Sequence, residues 1–409
     1  MRRTAAVALL LALASPAPRS AAQPKGDPPA ELLERAAQLT RRGALDEAIR
    51  LLEAAVGVRP DDAEALLLLG SALSLVPRRG EAVRALLRAM ELRPDDARVH
   101  ATAGMALARL AEQDAALEVF RRAVALDPEL GEAHLNLALI LASREDFEPA
   151  SEHMATALSL ESEPGKLARL RFLNGKLQAE RGQLEVAVEE YRHSIALAPL
   201  RGDAHLALGV ALKRLLREDE ALPVFRKAVD LLPEEPSARY QLALELQRRG
   251  DHSAAAEQFR KAHELQPDNR STVYNLARSL HQSGRAEEAL PYRELLATMV
   301  EQRDRARESE LHTAKLHGEA VRLDRQGRYA EALERYRAVL RIEPLNSVAR
   351  RNLALVLCRL GRWAEGIAEL EAILRSDPGD LEAARTLAIA IDQAKQAGSP
   401  ADRASPPLR

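Results

Sequence analysis

Apolar residues recur along most of the chain at helical spacing, in paired runs separated by short turns. The stretch from Gly202 shows the pattern: Leu208 and Leu212 mark one run, Ala221 and Phe225 the next, and Pro233 closes it. The closing prolines keep time. Pro60, Pro94 and Pro128 are spaced by 34 residues, as are Pro199, Pro233 and Pro267, and then Pro344 and Pro378. A Pro cannot continue a helix, so each run pair reads as a helical hairpin with a stop at its end. A hairpin repeated at one fixed period predicts an all-α stack in which each unit buries its apolar face on its neighbours.

Specific residues carry a resemblance to the tetratricopeptide repeat family. The unit from Gly202 supplies His205, Leu208-Gly209, Leu212, Ala221, Phe225 and Pro233; the unit from Ala97 supplies His100, Ala103-Gly104, Leu107, Ala116, Phe120 and Pro128. With the closing Pro as position 32, about ten units begin near Pro29, Ala63, Ala97, Gly131, Ala168, Gly202, Pro236, Arg270, Thr313 and Ser347. The resemblance implies a right-handed superhelical solenoid.

Small residues mark close approaches between helices: Gly70, Gly104, Gly175 and Gly209 at position 8, and alanines from Ala48 to Ala332 at position 20. Gly43, Gly182, Gly250, Gly284, Gly327 and Gly361 share position 15, where the turn calls for a positive φ. Asp61, Asp95 and Asp268 follow closing prolines and are expected to cap the next helix. Position 32 is Ser162 in the fourth unit and Glu301 in the eighth, each followed by extra residues. These departures predict blocks at 29–164, 168–301 and 313–380, with a joint at 165–167 and a charged one at 302–312 that could extend the preceding helix. Gly366 replaces the usual Ala at position 20, so the tenth hairpin is expected to pack less regularly. A single helix over 381–396 reads as a solvating cap, and 397–409 as a disordered tail.

Composition changes the picture at two points. Arg2 and Arg3, the apolar run Ala5–Ala14 and the small residues Ser20-Ala21-Ala22 predict a signal peptide over 1–22, a linker over 23–28, and export to the periplasm or outside the cell. That run is too short to span a bilayer, so no membrane insertion is expected after cleavage. A formal net charge of −2 and 3% aromatic residues argue against nucleic acid as partner.

The chemistry-bearing residues are mostly absorbed by the repeat. His100, His134 and His205 occupy the packing position 4, Cys358 has no nearby His, and no P-loop, GxSxG or zinc spacing occurs, so neither catalysis nor a cofactor is expected. The resemblance implies that first-helix positions 2, 5, 6, 9, 12 and 13 line a concave groove. Position 13 then gives a basic stripe of Arg41, Arg109, Arg214, Arg248, Arg325 and Arg359, joined by Lys176, Lys213, Arg278 and Arg351. Leu33, Leu67, Leu135, Phe172, Leu206, Tyr240 and Tyr274 at position 5 add apolar surface, and Asn136, Asn275 and Asn352 stand at position 6. Such a groove suits a protein or an extended acidic peptide. The same arginines also complement helix C-termini without any partner. A helical-repeat nucleic-acid binder and the docking arm of an enzyme complex are the alternatives.

Overall fold

The structure is a computed structural model and describes residues 29–377 and 379–397. The signal-peptide and linker calls, Pro378, and the tail beyond Ala397 lie outside those residues. Among the described residues there are twenty helices and no strand. The chain divides after Asp268 into two compact units.

The first unit holds seven hairpins: α1 (Pro29–Arg41) with α2 (Leu45–Val58), α3 (Ala63–Leu73) with α4 (Arg79–Leu92), α5 (Ala97–Arg109) with α6 (Gln113–Leu126), α7 (Gly131–Ser143) with α8 (Phe147–Leu160), α9 (Pro164–Glu180) with α10 (Leu184–Leu197), α11 (Gly202–Arg214) with α12 (Glu218–Leu231), and α13 (Pro236–Arg248) with α14 (His252–Leu265). The two helices of each hairpin pack together, and each second helix packs on the next hairpin's first helix. First helices also touch one another at α1–α3, α3–α5, α5–α7 and α9–α11. The extra residues of the fourth-to-fifth spacing become an added turn of α9, which opens with Pro164 in its first turn.

Packing inside a hairpin rests on a small residue facing a large one. Gly70, Gly104, Gly175 and Gly209 face Leu86, Phe120, Tyr191 and Phe225, and a methyl group on Gly209 would stand 2.5 Å from a Phe225 ring carbon. Gly366 is the same device in another place: a methyl group there would meet the Cys358 sulfur at 2.7 Å and the Ala354 carbonyl oxygen at 2.8 Å. The tenth hairpin thus exchanges volume between positions 20 and 12.

Turns follow one plan. The six position-15 glycines have φ between 73° and 85°, and Ala111, Glu145 and Leu216 take φ of 60°, 64° and 59° at the same position. The next residue's amide then donates to the carbonyl five residues back, as Arg217 does to Leu212 and Asp251 to Leu246, which satisfies a helix-end acceptor. Hairpin 2 carries Pro77 there, whose ring forbids positive φ, and α3 stops early at Leu73. The helix caps correct one expectation. Asp62, Asp96 and Asn269 accept the first-turn amides, whereas Asp61 and Asp95 stand one residue too early and pair with Arg88 and Arg122.

The second unit comprises α15 (Arg270–Gln282), α16 (Ala286–Arg325), α17 (Tyr329–Ile342), α18 (Ser347–Arg359), α19 (Trp363–Ser376) and α20 (Leu381–Ala397). The 40-residue α16 is two repeat helices fused. Its first part pairs with α15 as hairpin 8, its last part with α17 as hairpin 9, and residues 301–312 between them are all exposed. In hairpins 2 to 8 and 10 positions 3, 7 and 10 of the first helix are buried, Asn174 apart, and mostly apolar, as in Ala204, Leu208 and Ala211 or Ala349, Leu353 and Val356. In hairpin 9 they are Lys315, Glu319 and Arg322, none of them buried. Hairpin 8 matches: Leu290 is 52% exposed, while Leu222 and Leu333 at its position are buried.

Candidate functional site

The first-helix face of the first unit is the surface on which the called residues can be placed together. Phe172 is half-buried on α9, its ring centroid 5.9 Å from that of Tyr191, with the Arg201 guanidinium 4.8 Å above it. One turn on, Lys176 is exposed and has no hydrogen bond or ion pair among the described residues. On α11, Leu206 is half-buried and Lys213 donates to Gln241 Oε1 at 3.1 Å. Tyr240 on α13 packs edge-on against Phe259, centroids 5.6 Å apart.

The position-13 arginines behave differently, because most reach back to the preceding hairpin. Arg109 donates to Ser74 Oγ at 3.0 Å and Arg214 to the Ala179 carbonyl at 3.2 Å. Arg359 pairs with Asp324 and lies 5.7 Å over the Tyr329 ring. Each acceptor sits 35 residues earlier, at the end of the previous first helix. Arg248 pairs with Glu218 and, at 2.7 Å, with Glu245, whose side chain is 1% exposed. Burial pushes the Glu245 carboxyl up, but hydrogen bonds from Arg248 and Arg249 outweigh it and hold it below the usual carboxylate range. The stripe is therefore largely a set of staples between hairpins, with Lys176 left open.

In the second unit Tyr274 is exposed, Asn275 donates to the Ser271 carbonyl at 2.9 Å, and Arg278 is exposed without a partner among the described residues. Arg351 is drawn off by α20: its guanidinium lies 2.8 Å from Glu382 and 3.8 Å from Asp380. Asn352 is half-buried. The ion pairs of Arg351 and the burial of Asn352 set them apart from the exposed pair Tyr274 and Arg278.

The histidines are structural. His134 and His205 place Nε2 3.1 Å from the carbonyls of Pro128 and Pro199, the closing prolines of the hairpins before them. Since a carbonyl only accepts, His134 carries its proton on Nε2, and its bare Nδ1 accepts from His153 Nδ1, 2.9 Å away on α8. Burial and His134 push the His153 imidazole below its ordinary value, with Glu152 opposing and Arg121 assisting. Cys358 is buried, which raises its thiol and keeps it protonated. No group of three or more potential metal ligands occurs among the described residues, and no helix there is long and apolar enough to cross a membrane.

Sequence reasoning found Leu67 and Leu135 at position 5 of hairpins 2 and 4 but missed the apolar residues beside them. Positions 6, 9 and 13 there hold Leu68, Leu75, Met105 and Leu139, with Leu75 46% and Leu139 38% exposed. The signal was available: reading those positions for apolar as well as basic residues exposes it.

Tetratricopeptide repeat sequence models match residues 39–110 and 325–390, 172–236, and 97–130, together more than half of the chain. A model of anaphase-promoting complex, cyclosome, subunit 3 matches residues 216–292. No curated protein matches. Among solved structures, YrrB, described as a TPR protein with an unusual peptide-binding site, is 22% identical over 47% of this chain and 97% of its own, with a TM-score of 0.40. PilF of Pseudomonas aeruginosa is 19% identical over 51% and 93%, TM-score 0.45. PilW, a type IV pilus biogenesis factor, is 18% identical over 52% and 96%, TM-score 0.47. The 34-residue hairpins, their position-8 and position-15 chemistry and these family matches agree, and the chain belongs to the tetratricopeptide repeat family.

Proposed function

We propose that the chain is an exported, non-catalytic scaffold that holds a protein or an extended peptide bearing acidic residues on its first-helix face. Tetratricopeptide repeat proteins act generally in protein–protein interaction, and YrrB is described as having a peptide-binding site. The observation that carries the reading is the cationic stretch of hairpins 5 and 6. Lys176 has no partner among the described residues, and Lys213 and Arg214 bond only neutral acceptors, so their charge stays available for carboxylates. The Arg2-Arg3 start, the apolar run and Ala22 support export.

The test is capture of partners from the native host with the full chain and with Lys176→Glu/Lys213→Glu. These sites are preferable to Arg248, whose reversal would set a second carboxylate against buried Glu245 and damage the stack. The double variant is expected to lose the wild-type partner while melting at the wild-type temperature. Capture of the same partner in the same yield overturns the reading. The mature chain is expected to begin at Gln23, which intact mass of the secreted protein decides.

A further inference from the structure

The first-helix face changes character between hairpins 4 and 5. At position 9 the residues run Ser71, Met105, Leu139 and then Lys176, before returning to Val210 and Leu244. Before the change, Leu139 on α7 and Leu75, in the turn that ends α3, are large apolar side chains left exposed. After it, Lys176 and Lys213 carry charge that no ion pair among the described residues cancels. The cationic stretch ends at hairpin 7, where Glu218 and Glu245 neutralise Arg248. An acidic peptide alone would leave the leucines in water and forgo the gain from covering their apolar area.

Resting on the reading just given, we infer that the bound segment is bipartite: one continuous stretch of a partner protein with apolar side chains over hairpins 2 to 4 and carboxylates over hairpins 5 and 6. Charge complementarity fixes its acidic end at Lys176 and Lys213; the leucine-rich face, whose position-13 cation Arg109 is tied back to Ser74, fixes the other. Neighbouring first helices lie about 10 Å apart, so Met105 to Lys213 is three steps, or about nine extended residues. Met105 to Lys176 is two steps, so the apolar cluster and the nearest carboxylate lie about six residues apart in the partner.

A random peptide library displayed on phage tests this, selected on the full chain, on Leu75→Glu/Leu139→Glu, on the milder Leu139→Gln, and on Lys176→Glu/Lys213→Glu, each first checked by thermal melting. Peptides enriched on the wild type are expected to combine an apolar cluster with carboxylates. Against either leucine variant the apolar requirement is lost and enrichment of those peptides falls about tenfold or more; against the lysine variant the acidic requirement is lost. Enriched peptides that are acidic throughout, or apolar enrichment indifferent to the leucine substitutions, overturn the bipartite segment and leave the acidic-peptide reading standing. Absence of any enriched peptide on the wild type overturns both.

Discussion

Leu216 is 80% exposed and sits at φ 59°, so its side chain gives nothing to the core while its Cβ strains the turn. Leu216→Gly is expected to raise stability by about 0.5–1 kcal/mol, and Gly250→Ala, at φ 83° in open space, to lower it by about 1 kcal/mol. Paired urea titrations check both. The His134–His153 pair sets a pH dependence. A folded-state value below the ordinary one means that the native hairpin favours neutral His153. Its contribution is therefore full above a pH of about 6.5 and is lost as pH falls through the lowered value. His153→Gln should flatten the wild-type decline in melting temperature between roughly pH 7 and 5; an unchanged slope removes the pair as its cause. The glycines made the turn conformation readable in sequence, because only a positive φ explains that residue at one fixed position. The histidine pair was not readable, because its members lie on two helices 19 residues apart.

At the scale of the helix, the fit between position 8 and position 24 decides stability. Gly209→Ala presses a methyl group into the Phe225 ring and is expected to cost about 1–3 kcal/mol. Differential scanning calorimetry would detect it as a lowered midpoint. The last helix depends on different chemistry, since Arg351 ties α18 to α20 through Glu382. Arg351→Ala should leave the melting of the stack almost unchanged and speed amide exchange in Leu381–Ala397 several-fold; unaltered exchange there would show the ion pair to be idle. Helices, turns and closing prolines were legible because their signals repeat within 34 residues. The fate of the arginines was not. Whether Arg214 faces solvent or the Ala179 carbonyl depends on how one hairpin stacks on another, and nothing local to Arg214 encodes its acceptor.

At the scale of the molecule, the stretch of α16 from 301 to 312 is helix without burial, held by local pairs such as Arg305 with Glu301. Arg307→Pro costs about 3 kcal/mol of local helix but removes no core contact. Limited proteolysis is expected to gain a cut near 307 while the hairpins melt as before; joint loss of both would show that the bare helix supports its neighbours. The charged composition of 302–312 was visible in sequence, and so was an extended helix, but the division after Asp268 was not, because the 34-residue spacing runs through it unbroken. The polar triad Lys315, Glu319 and Arg322 has a further meaning. The first described hairpin has Glu31, Arg35 and Gln38 at the same three positions, so the two hairpins share a polar face there. With no side chain of 301–312 buried, that stretch can lengthen or shorten without breaking an apolar contact of its own.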